Sequence, residues 1–559
     1  MLYSDITLLY NSLSATTKRL EKTSILADFL KKIDKNPNII HLLNGKVLPD
    51  YDTRETGISQ QLAIKAIASS YEIKEKKVIE RFNKIGDLGE IAKEFSEKKK
   101  QSTLFNSKLT AEKVMDNILK LTETEGKGAV DKKIALISEL LSSASGEEAK
   151  YIIRTLLSDL KIGISSPTIM DALSKSFDID SEKIQSAYDL CNDFSQIYLA
   201  CTKGESELSK ISLIPGRPIN VMLATKVETI KEAFEVCGKP AAIEQKYDGF
   251  RVLINKNEKG KISLFTRRLE DVTNQFPDVV SVIKDNVRGF SFILDSEIVG
   301  YDPKTKKYRP FEAISQRIKR KYDIEQLTKE LPVEVNVFDC IYHNGKSLIN
   351  TPLIERRKIV EDIVKEKSLL IRPSVFLITD NEEKAMNFFN EALKLGEEGI
   401  MVKALNAPYK QGRRVGYMVK MKPEVHDLDL VIVGAEYGTG KRGGLLTSYI
   451  LACRDKEELK EIGRVSSGLK EKEEEGFTYE QMTSLLNELI EEKTESRIKV
   501  IPKIVISVTY QNIQPSPSYS SGYALRFPRI TRYRPDRGIK DIVSIDEIKK
   551  EVKRGENNH

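Results

Sequence analysis

The chain has 559 residues, of which 40% are hydrophobic and 31% charged, a balance typical of folded globular domains rather than of disordered chains. This length exceeds what a single hydrophobic core usually organises, so we expect about three domains. Lys and Arg total 90 against 83 Asp and Glu, a formal net charge of +7. Binding to a polyanion would therefore depend on local concentrations of basic residues.

Targeting signals and metal-binding spacings are both missing from the sequence. Residues 1–13 lack the basic start and continuous apolar stretch of a signal peptide, and no apolar run approaches the roughly 20 residues that span a bilayer. We therefore expect a cytoplasmic protein. The cysteines and histidines are scattered, which favours buried free thiols and argues against a structural zinc site. They are Cys191, Cys201, Cys237, Cys340, Cys453, His41, His343, His426 and His559.

The N-terminal third shows apolar residues at helical spacing. One apolar face runs through residues 25–33, with Thr23 or Ser24 placed to cap the helix. A second runs through residues 152–160 and is expected to stop at Lys161-Ile162-Gly163. We expect an all-α domain over residues 1–212.

The middle third mixes strand and helix patterns and is expected to form an α+β domain over residues 213–425. Period-two alternation at residues 252–254 and 262–264, on either side of a turn, predicts a β-hairpin. Further strands are predicted over residues 292–294 and 333–338, and helices over residues 353–367 and 382–395.

The last third, residues 426–559, has short strand patterns separated by glycine-rich or charged loops. The predicted strands cover residues 430–433, 449–451 and 504–508, and one helix is predicted over residues 479–492. Short strands with one inserted helix are typical of a small β-barrel such as the OB-fold.

The segment Glu244-Gln245-Lys246-Tyr247-Asp248-Gly249-Phe250-Arg251 carries the clearest chemical signal. Asp-Gly alone is an ordinary turn, and an isolated lysine is usually a solvated side chain. Here strand patterns flank the turn on both sides. A lysine at such a corner becomes a nucleophile once its pKa is lowered by burial or by positive charge, for which Lys420, Lys422, Arg251 or a magnesium ion is available. This chemistry fits attack on phosphorus.

This segment resembles the lysine motif of the covalent nucleotidyltransferase superfamily, which comprises DNA ligases, RNA ligases and mRNA capping enzymes. Further segments resemble the remaining superfamily motifs and follow in the same order. They cover residues 264–271, 292–297, 337–339, 398–403, 417–422 and 526–537. Taken alone, the key residue of each segment can be explained as an aromatic side chain of the core or as a solvated charged side chain. Their ordered occurrence is specific to the superfamily.

The resemblance implies a role for each matching residue, with ATP as co-substrate and Mg2+ or Mn2+ as metal. Lys246 would be the catalytic nucleophile, and Phe338 would stack on the purine. The nucleotide-binding residues would be Glu244, Arg251, Arg267, Glu297, Phe338, Arg414, Lys420 and Lys422. The metal would be bound by Glu297 and Glu398. The pyrophosphate would be oriented by Arg526 and Arg529.

The helical N-terminal region narrows the choice within the superfamily. Capping enzymes and small RNA ligases lack it, whereas residues 154–164 are similar to a DNA-contacting segment of archaeal and eukaryotic replicative ATP-dependent DNA ligases. Residues 215–224 likewise resemble the start of their catalytic domain. One departure lies in the motif at residues 292–297, where Ser296 stands in place of the glycine of many relatives. The resemblance implies an archaeal-type enzyme that seals nicks in duplex DNA during replication, repair and recombination through a lysine–AMP intermediate. The alternatives are an RNA ligase or guanylyltransferase, or a non-catalytic DNA-binding scaffold.

Two surface segments point to partners. Gln101, Leu104 and Phe105 resemble the sliding-clamp-binding segment of archaeal ligases, although a helix start or an ordinary loop explains them equally well. The glycine-rich basic loop at residues 438–444 lacks the residues of a phosphate-binding Walker loop. It is either a contact to the DNA backbone or a plain surface turn. We expect a monomer in the absence of DNA.

Overall fold

The computed structural model describes residues 1–33, 36–98, 108–309, 311–320, 322–412, 416–423, 427–438, 442–494 and 497–557. The chain forms two compact units. One comprises Met1–Thr225, Gly249–Val375 and Lys403–Met418, and the other Lys226–Asp248, Phe376–Val402 and Val419–His559. In the part of the chain described, no helix is long and apolar enough to cross a membrane.

The N-terminal region of the first unit is helical, as the sequence predicts. Its helices are α1 (Tyr3–Ser14), α2 (Arg19–Leu30), α3 (Gln60–Ser70), α4 (Glu75–Ile85), α5 (Leu88–Lys98), α6 (Ala111–Glu123), α7 (Ala129–Ser143), α8 (Gly146–Leu156), α9 (Ser166–Phe177), α10 (Ser181–Cys191), α11 (Phe194–Lys203) and α12 (Glu205–Leu208). Their apolar faces share one core, in which α5 packs on α8 and α2 packs on α9.

Two predicted helix ends in this region are wrong. Helix α2 begins at Arg19, so Thr23 lies inside it and its hydroxyl donates to the Arg19 carbonyl at 3.1 Å rather than capping the helix. Helix α8 ends at Leu156, before the predicted stop at Lys161, because Ser158 adopts a left-handed backbone with φ of 55°.

The middle of the chain contains two sheets. Its elements are β1 (Thr225–Val227), α13 (Ile230–Cys237), β2 (Ala241–Lys246), β3 (Phe250–Lys256), β4 (Ile262–Thr266), α14 (Pro277–Asn286), β5 (Phe292–Gly300), α15 (Phe311–Lys319), α16 (Ile324–Glu330), β6 (Val333–His343), β7 (Lys346–Ser347), α17 (Leu353–Ile363), β8 (Ile371–Pro373), β9 (Phe376–Thr379), α18 (Glu382–Lys394), β10 (Gly399–Ala404) and β11 (Met418–Met421). The predicted hairpin is confirmed as β3 and β4, which pair antiparallel from Val252 opposite Thr266 to Lys256 opposite Ile262.

The two sheets consist of different strands and belong mainly to different units. In the first unit the order is β4-β3-β5-β6-β7, with β8 parallel to β6. Its buried residues pack with α14 and α17 into a separate core that includes Phe250 and Phe276, whose ring centroids are 4.9 Å apart. The other sheet has the order β1-β11-β10-β2-β9 and belongs mainly to the second unit.

The C-terminal region of the second unit is rich in β-structure. Its elements are β12 (Leu428–Tyr437), β13 (Leu446–Asp455), β14 (Glu458–Val465), α19 (Tyr479–Asn487), β15 (Ile490–Lys493), β16 (Arg497–Val500), β17 (Val505–Thr509), β18 (Ile513–Pro515), β19 (Tyr523–Leu525), β20 (Arg529–Tyr533) and α20 (Ile545–Asn557). The sheet order is β14-β13-β12-β16-β15, with β17 between β12 and β20.

The predicted helix over residues 479–492 is too long. Helix α19 starts at Tyr479, as predicted, and the structure shows a capping box at Thr478, but the helix ends at Asn487. Residues Ile490–Lys493 form a strand instead, because they pair antiparallel with β16. All five cysteines are buried and free, as predicted.

Candidate active site

Lys246 lies at the half-buried end of a buried strand. Its strand β2 begins with Ala241, Ala242 and Ile243, all 0% exposed, and pairs with β9. The turn that follows is held by backbone contacts. The Glu398 N–H donates to the Lys246 carbonyl at 2.9 Å, and the Asp248 N–H donates to Glu397 Oε2 at 3.1 Å. The lysine is therefore fixed at the strand-to-turn corner that its sequence predicts.

Steric crowding explains why residue 249, just after the turn, is a glycine. A Cβ at this position would lie 2.3 Å from the Ile298 carbonyl oxygen, which is closer than any side chain tolerates. This crowding arises because β3 starts at the next residue and pairs with β5, placing Phe250 opposite Ile298. The glycine is thus required for the close approach of two strands.

One carboxylate holds two lysines of the predicted motifs. The ammonium group of Lys246 contacts Glu398 Oε2, and Lys422 Nζ lies 2.5 Å from the same oxygen. Burial by itself raises the pKa of Glu398, but the two ammonium groups lower it to about 2. With two cations on one anion, this cluster, the lysine site, retains a positive charge that suits a phosphate group.

The predicted pyrophosphate segment is linked to the lysine site through Gln511. The Gln511 side chain donates to Glu398 Oε1 at 3.2 Å, and its backbone N–H donates to the Arg526 carbonyl at 2.8 Å. Arg526 is half-buried, and Arg529 is exposed at the start of β20. Sequence reasoning missed Gln511, which precedes the motif by fifteen residues and carries no pattern of its own.

Arg251 is the centre of a second cluster, the arginine network, which consists of Arg251, Asp295, Tyr409 and the backbone of Met222. Arg251 binds Asp295 in a two-pronged manner, with Nε 2.8 Å from Oδ1 and Nη2 2.6 Å from Oδ2. Its Nη1 donates to the Met222 carbonyl at 2.7 Å. Burial disfavours the charged guanidinium, but Asp295 raises the pKa of Arg251 above its ordinary value.

Two further predicted nucleotide residues lie beside Arg251. Glu297 is opposite Arg251 in the pairing of β5 with β3. The Phe338 ring is half-buried, and its centroid is 5.4 Å from the Arg251 guanidinium carbon and 4.6 Å from Lys403 Nζ. Two cations on one ring make Phe338 an aromatic platform within a basic surrounding. Lys403 lies within the motif at residues 398–403, but the sequence pattern predicted no role for it.

The remaining predicted residues are placed as follows. Glu244 is buried on β2, Lys420 is half-buried on β11, and Arg267 is exposed in the turn after β4. Arg414 and the candidate clamp-binding residues Gln101, Leu104 and Phe105 lie outside the described residues.

The donor chemistry of the lysine site is compatible with magnesium. No group of three or more metal-ligating side chains occurs in the described parts of the chain. Magnesium is commonly bound through one or two carboxylates, with phosphate oxygens and waters completing the shell. The Glu398 carboxylate fits such a site.

A lysine at a strand end, a carboxylate shared with a second lysine, and an arginine five residues later form the arrangement expected from the sequence for a lysine-dependent nucleotidyltransferase. Comparisons with known proteins place the chain more narrowly. Residues 2–174 match the family model described as DNA ligase N terminus, residues 221–422 match the ATP dependent DNA ligase domain, and residues 442–537 match the ATP dependent DNA ligase C terminal region. The chain belongs to the ATP-dependent DNA ligase family.

Relatives match the chain over nearly its whole length. A DNA ligase of Nanoarchaeum equitans is 44% identical over 98% of this chain and 98% of its own. A DNA ligase of Methanopyrus kandleri is 39% identical with the same coverage of both chains. Among solved structures, Pmar-Lig_PreS3 covers 94% of this chain and 99% of its own with a TM-score of 0.57. At 18% identity, that likeness concerns the fold alone.

Proposed function

We propose that the chain is an ATP-dependent DNA ligase that seals nicks in duplex DNA, in replication, repair and recombination, through an AMP group carried on Lys246. The observation that supports this most directly is the lysine site. It offers a nucleophile, a second cation and a carboxylate at one point, which is what attack on a phosphoanhydride requires.

In the first step the Lys246 amine attacks the α-phosphorus of ATP. A nitrogen–phosphorus bond forms, the bond to the β-phosphate oxygen breaks, and pyrophosphate leaves. The Lys246 ammonium group loses its proton to solvent water before the attack, and Glu398, which contacts that group, holds the side chain in place until then. Lys422, which contacts the same carboxylate oxygen, is positioned to balance charge that develops on the α-phosphate.

In the later steps AMP passes to the nick. The 5′-phosphate at the nick attacks the same phosphorus and releases Lys246. The 3′-hydroxyl then attacks the activated 5′-phosphate, forms the phosphodiester and releases AMP. No new protein nucleophile is needed, so the chain's contribution to these steps is positioning and charge.

The other motif residues are assigned to nucleotide binding. Phe338 stacks on the purine, supported by its position among cations. Glu244 reads the adenine or orients Lys246, and Lys420 contacts the α-phosphate. Arg251, Arg267, Glu297 and Arg414 bind the phosphates or ribose. Glu398 and Glu297 would hold magnesium or manganese, which would neutralise phosphate charge when bound.

Arg526 and Arg529 are assigned to the departing pyrophosphate. The link from Glu398 through Gln511 to the Arg526 carbonyl supports this, because it brings the segment next to the proposed nucleophile. Their guanidinium groups suit the two-pronged recognition of phosphate.

The chain is proposed to have three domains. They are a helical DNA-binding domain over residues 1–212, an adenylation domain over 213–425 and an OB-fold domain over 426–559. The antiparallel sheet of β12 to β17 and β20, with the inserted helix α19, supports the barrel assignment.

Nicked duplex DNA is the proposed macromolecular substrate. The turn at residues 158–163 is a candidate contact, because it is rigidly held in an exposed position. Asp87 binds both Arg154 and Lys161, at 2.8 and 3.0 Å, and Lys22 Nζ donates to the carbonyls of Ile162 and Gly163 at 2.5 and 3.0 Å. Sliding-clamp binding through residues 101–105, a monomeric state and a cytoplasmic location remain predictions from the sequence.

Incubation with ATP labelled at the α-phosphate, followed by a denaturing gel, tests the proposal. Wild-type protein is expected to carry label through the gel and Lys246→Ala to carry none. Lys239→Ala is the matched control, since Lys239 is an exposed lysine seven residues earlier whose ammonium group pairs with Glu382 and lies 4.9 Å from the centroid of the Phe234 ring. Absence of label on wild type, after pyrophosphate treatment to remove bound AMP, would contradict an ATP-dependent mechanism.

A further inference from the structure

Tyr409 lies in the segment that follows β10 and is 2% exposed. Its hydroxyl donates to Asp295 Oδ2 at 2.6 Å and accepts from the Met222 N–H at 3.1 Å. Arg251 Nη2 also donates to it at 3.4 Å. One phenol oxygen therefore contacts three groups of the arginine network. No part of the sequence motifs pointed to this residue.

These contacts account for most of the Arg251 hydrogen-bonding capacity. A guanidinium has five N–H donors. Nε and Nη2 bind Asp295, Nη2 also reaches Tyr409, and Nη1 binds the Met222 carbonyl. Only one N–H, on Nη1, is not engaged in these bonds. The group is thus locked in plane and in rotation, and it presents one donor in a fixed direction.

Tyr409 is itself held from the other side by a buried ion pair. Its backbone N–H donates to the Ile349 carbonyl at 2.7 Å, and its ring centroid is 5.8 Å from the Arg356 guanidinium carbon. Arg356, 0% exposed, binds Asp339 at 2.7 and 2.9 Å and also donates to the Ala407 carbonyl at 3.0 Å. Burial and the Asp295 carboxylate raise the pKa of Tyr409 well above its ordinary value, so the hydroxyl stays a donor at neutral pH.

We propose that Tyr409 is a positioning residue, whose hydroxyl fixes the Arg251 guanidinium in the orientation that the transfer of AMP to Lys246 requires. This inference rests on the proposed function. Without the hydroxyl, Arg251 is the one remaining partner of Asp295 Oδ2 among the described residues, and the buried Met222 N–H loses its acceptor. The carboxylate and the guanidinium can then rotate together.

Tyr409→Phe separates this role from simple packing, because it keeps the ring and removes one oxygen. Tyr10→Phe is the matched control. Tyr10 is 0% exposed, and its hydroxyl donates to the Leu42 carbonyl at 2.7 Å in the N-terminal helical region. Tyr10→Phe removes one buried phenol hydrogen bond and Tyr409→Phe removes three, so both variants should lose stability.

The measurement is the rate of lysine–AMP formation in full-length protein with labelled ATP, as a function of ATP concentration. Tyr409→Phe is expected to lower the rate at saturating ATP about tenfold to a hundredfold, because small misplacements of a positioned group cost that much. Tyr10→Phe is expected to match wild type. An unchanged rate in Tyr409→Phe, or an equal loss in both variants, would overturn the proposal.

A double-mutant cycle shows whether Tyr409 acts through Arg251. The cycle uses Arg251→Lys, which keeps a positive charge beside Asp295 but loses the two-pronged geometry. If Tyr409 acts through Arg251, adding Tyr409→Phe to Arg251→Lys reduces the rate less than about threefold further. Losses that multiply in full would show two independent roles and refute the proposal.

The outcomes also distinguish failure of the Tyr409 positioning role from failure of the proposed ligase function. Wild-type protein that takes up no label would remove both proposals. Wild-type labelling together with an unaffected Tyr409→Phe would remove the positioning role alone and leave the ligase proposal standing.

Discussion

The lysine site places two ammonium groups on one carboxylate, whereas the arginine network pairs one guanidinium with one carboxylate. In the lysine site the side chains of Lys246 and Lys422 are 22% and 30% exposed. In the arginine network Asp295 is fully buried and Tyr409 nearly so. The first cluster carries excess charge near solvent, and the second is neutral and enclosed.

This difference separates a group that reacts, the Lys246 amine, from a group that keeps a fixed orientation, the Arg251 guanidinium. An amine that must lose a proton and bond to phosphorus has to be accessible to solvent and to ATP. Its ion pair with a carboxylate must also be able to break. A group that fixes a direction needs every donor engaged and little room to move. The comparison predicts that damage to the two clusters affects different quantities, catalytic rate in the first and both rate and stability in the second.

The largest expected effect is on stability, next to the arginine network. Arg356→Met leaves Asp339 buried without its charge partner and should lower the free energy of unfolding by about 3–5 kcal/mol. Denaturant unfolding followed by circular dichroism measures it. The exposed Lys183–Glu205 pair, with side chains 53% and 50% exposed, provides the control. Lys183→Ala should leave the unfolding midpoint unchanged. Equal effects of the two substitutions would contradict a stability cost that depends on burial of the ion pair.

Next in size is the effect of Glu398→Gln on rate. The substitution removes the charge that holds Lys246 and Lys422 and should slow lysine–AMP formation about a hundredfold, equivalent to about 2.7 kcal/mol of activation free energy. Glu382→Gln is the control, because Glu382 pairs with the exposed Lys239 instead. Wild-type rates in Glu398→Gln would show that the shared carboxylate has no part in the reaction.

The smallest expected effect is a dependence of stability on pH. The pKa of Glu398 is lowered from its ordinary value of 4.5 to about 2 in the folded chain. A carboxyl with a lowered pKa contributes stability that is complete above its unfolded pKa and is lost as pH falls through its folded pKa. The difference in unfolding free energy between wild type and Glu398→Gln should therefore be constant above pH 4.5 and shrink towards pH 2. A difference that stays constant down to pH 3 would contradict the ion pairing.

Local sequence patterns predicted the elements that carry the lysine site. Strand β3 follows from alternation, β2 from the strand pattern before Lys246, and the turn between them from Asp-Gly, because these signals lie within a few residues. The excess length predicted for α19 shows the limit of such patterns. Residues Ile490–Lys493 continue a helical pattern, but they become a strand because β16 lies beside them.

The arginine network could not be predicted in the same way. Tyr409 is 187 residues from Met222, 158 from Arg251 and 114 from Asp295 along the chain. Nothing in the neighbourhood of a tyrosine indicates hydrogen bonds at such distances. Motif resemblance named Arg251 and the strand of Asp295, but only the fold brings the phenol to them.

The central claim is that Lys246, rather than another lysine of the same site, carries AMP. Proteolysis of the purified lysine–AMP protein, followed by mass spectrometry of the peptides, tests it most directly. Lys422 is the built-in comparison, since it contacts the same oxygen of Glu398. AMP is expected on the peptide that contains Lys246, with Lys422 unmodified. AMP on Lys422, or on a lysine outside the site, would contradict it.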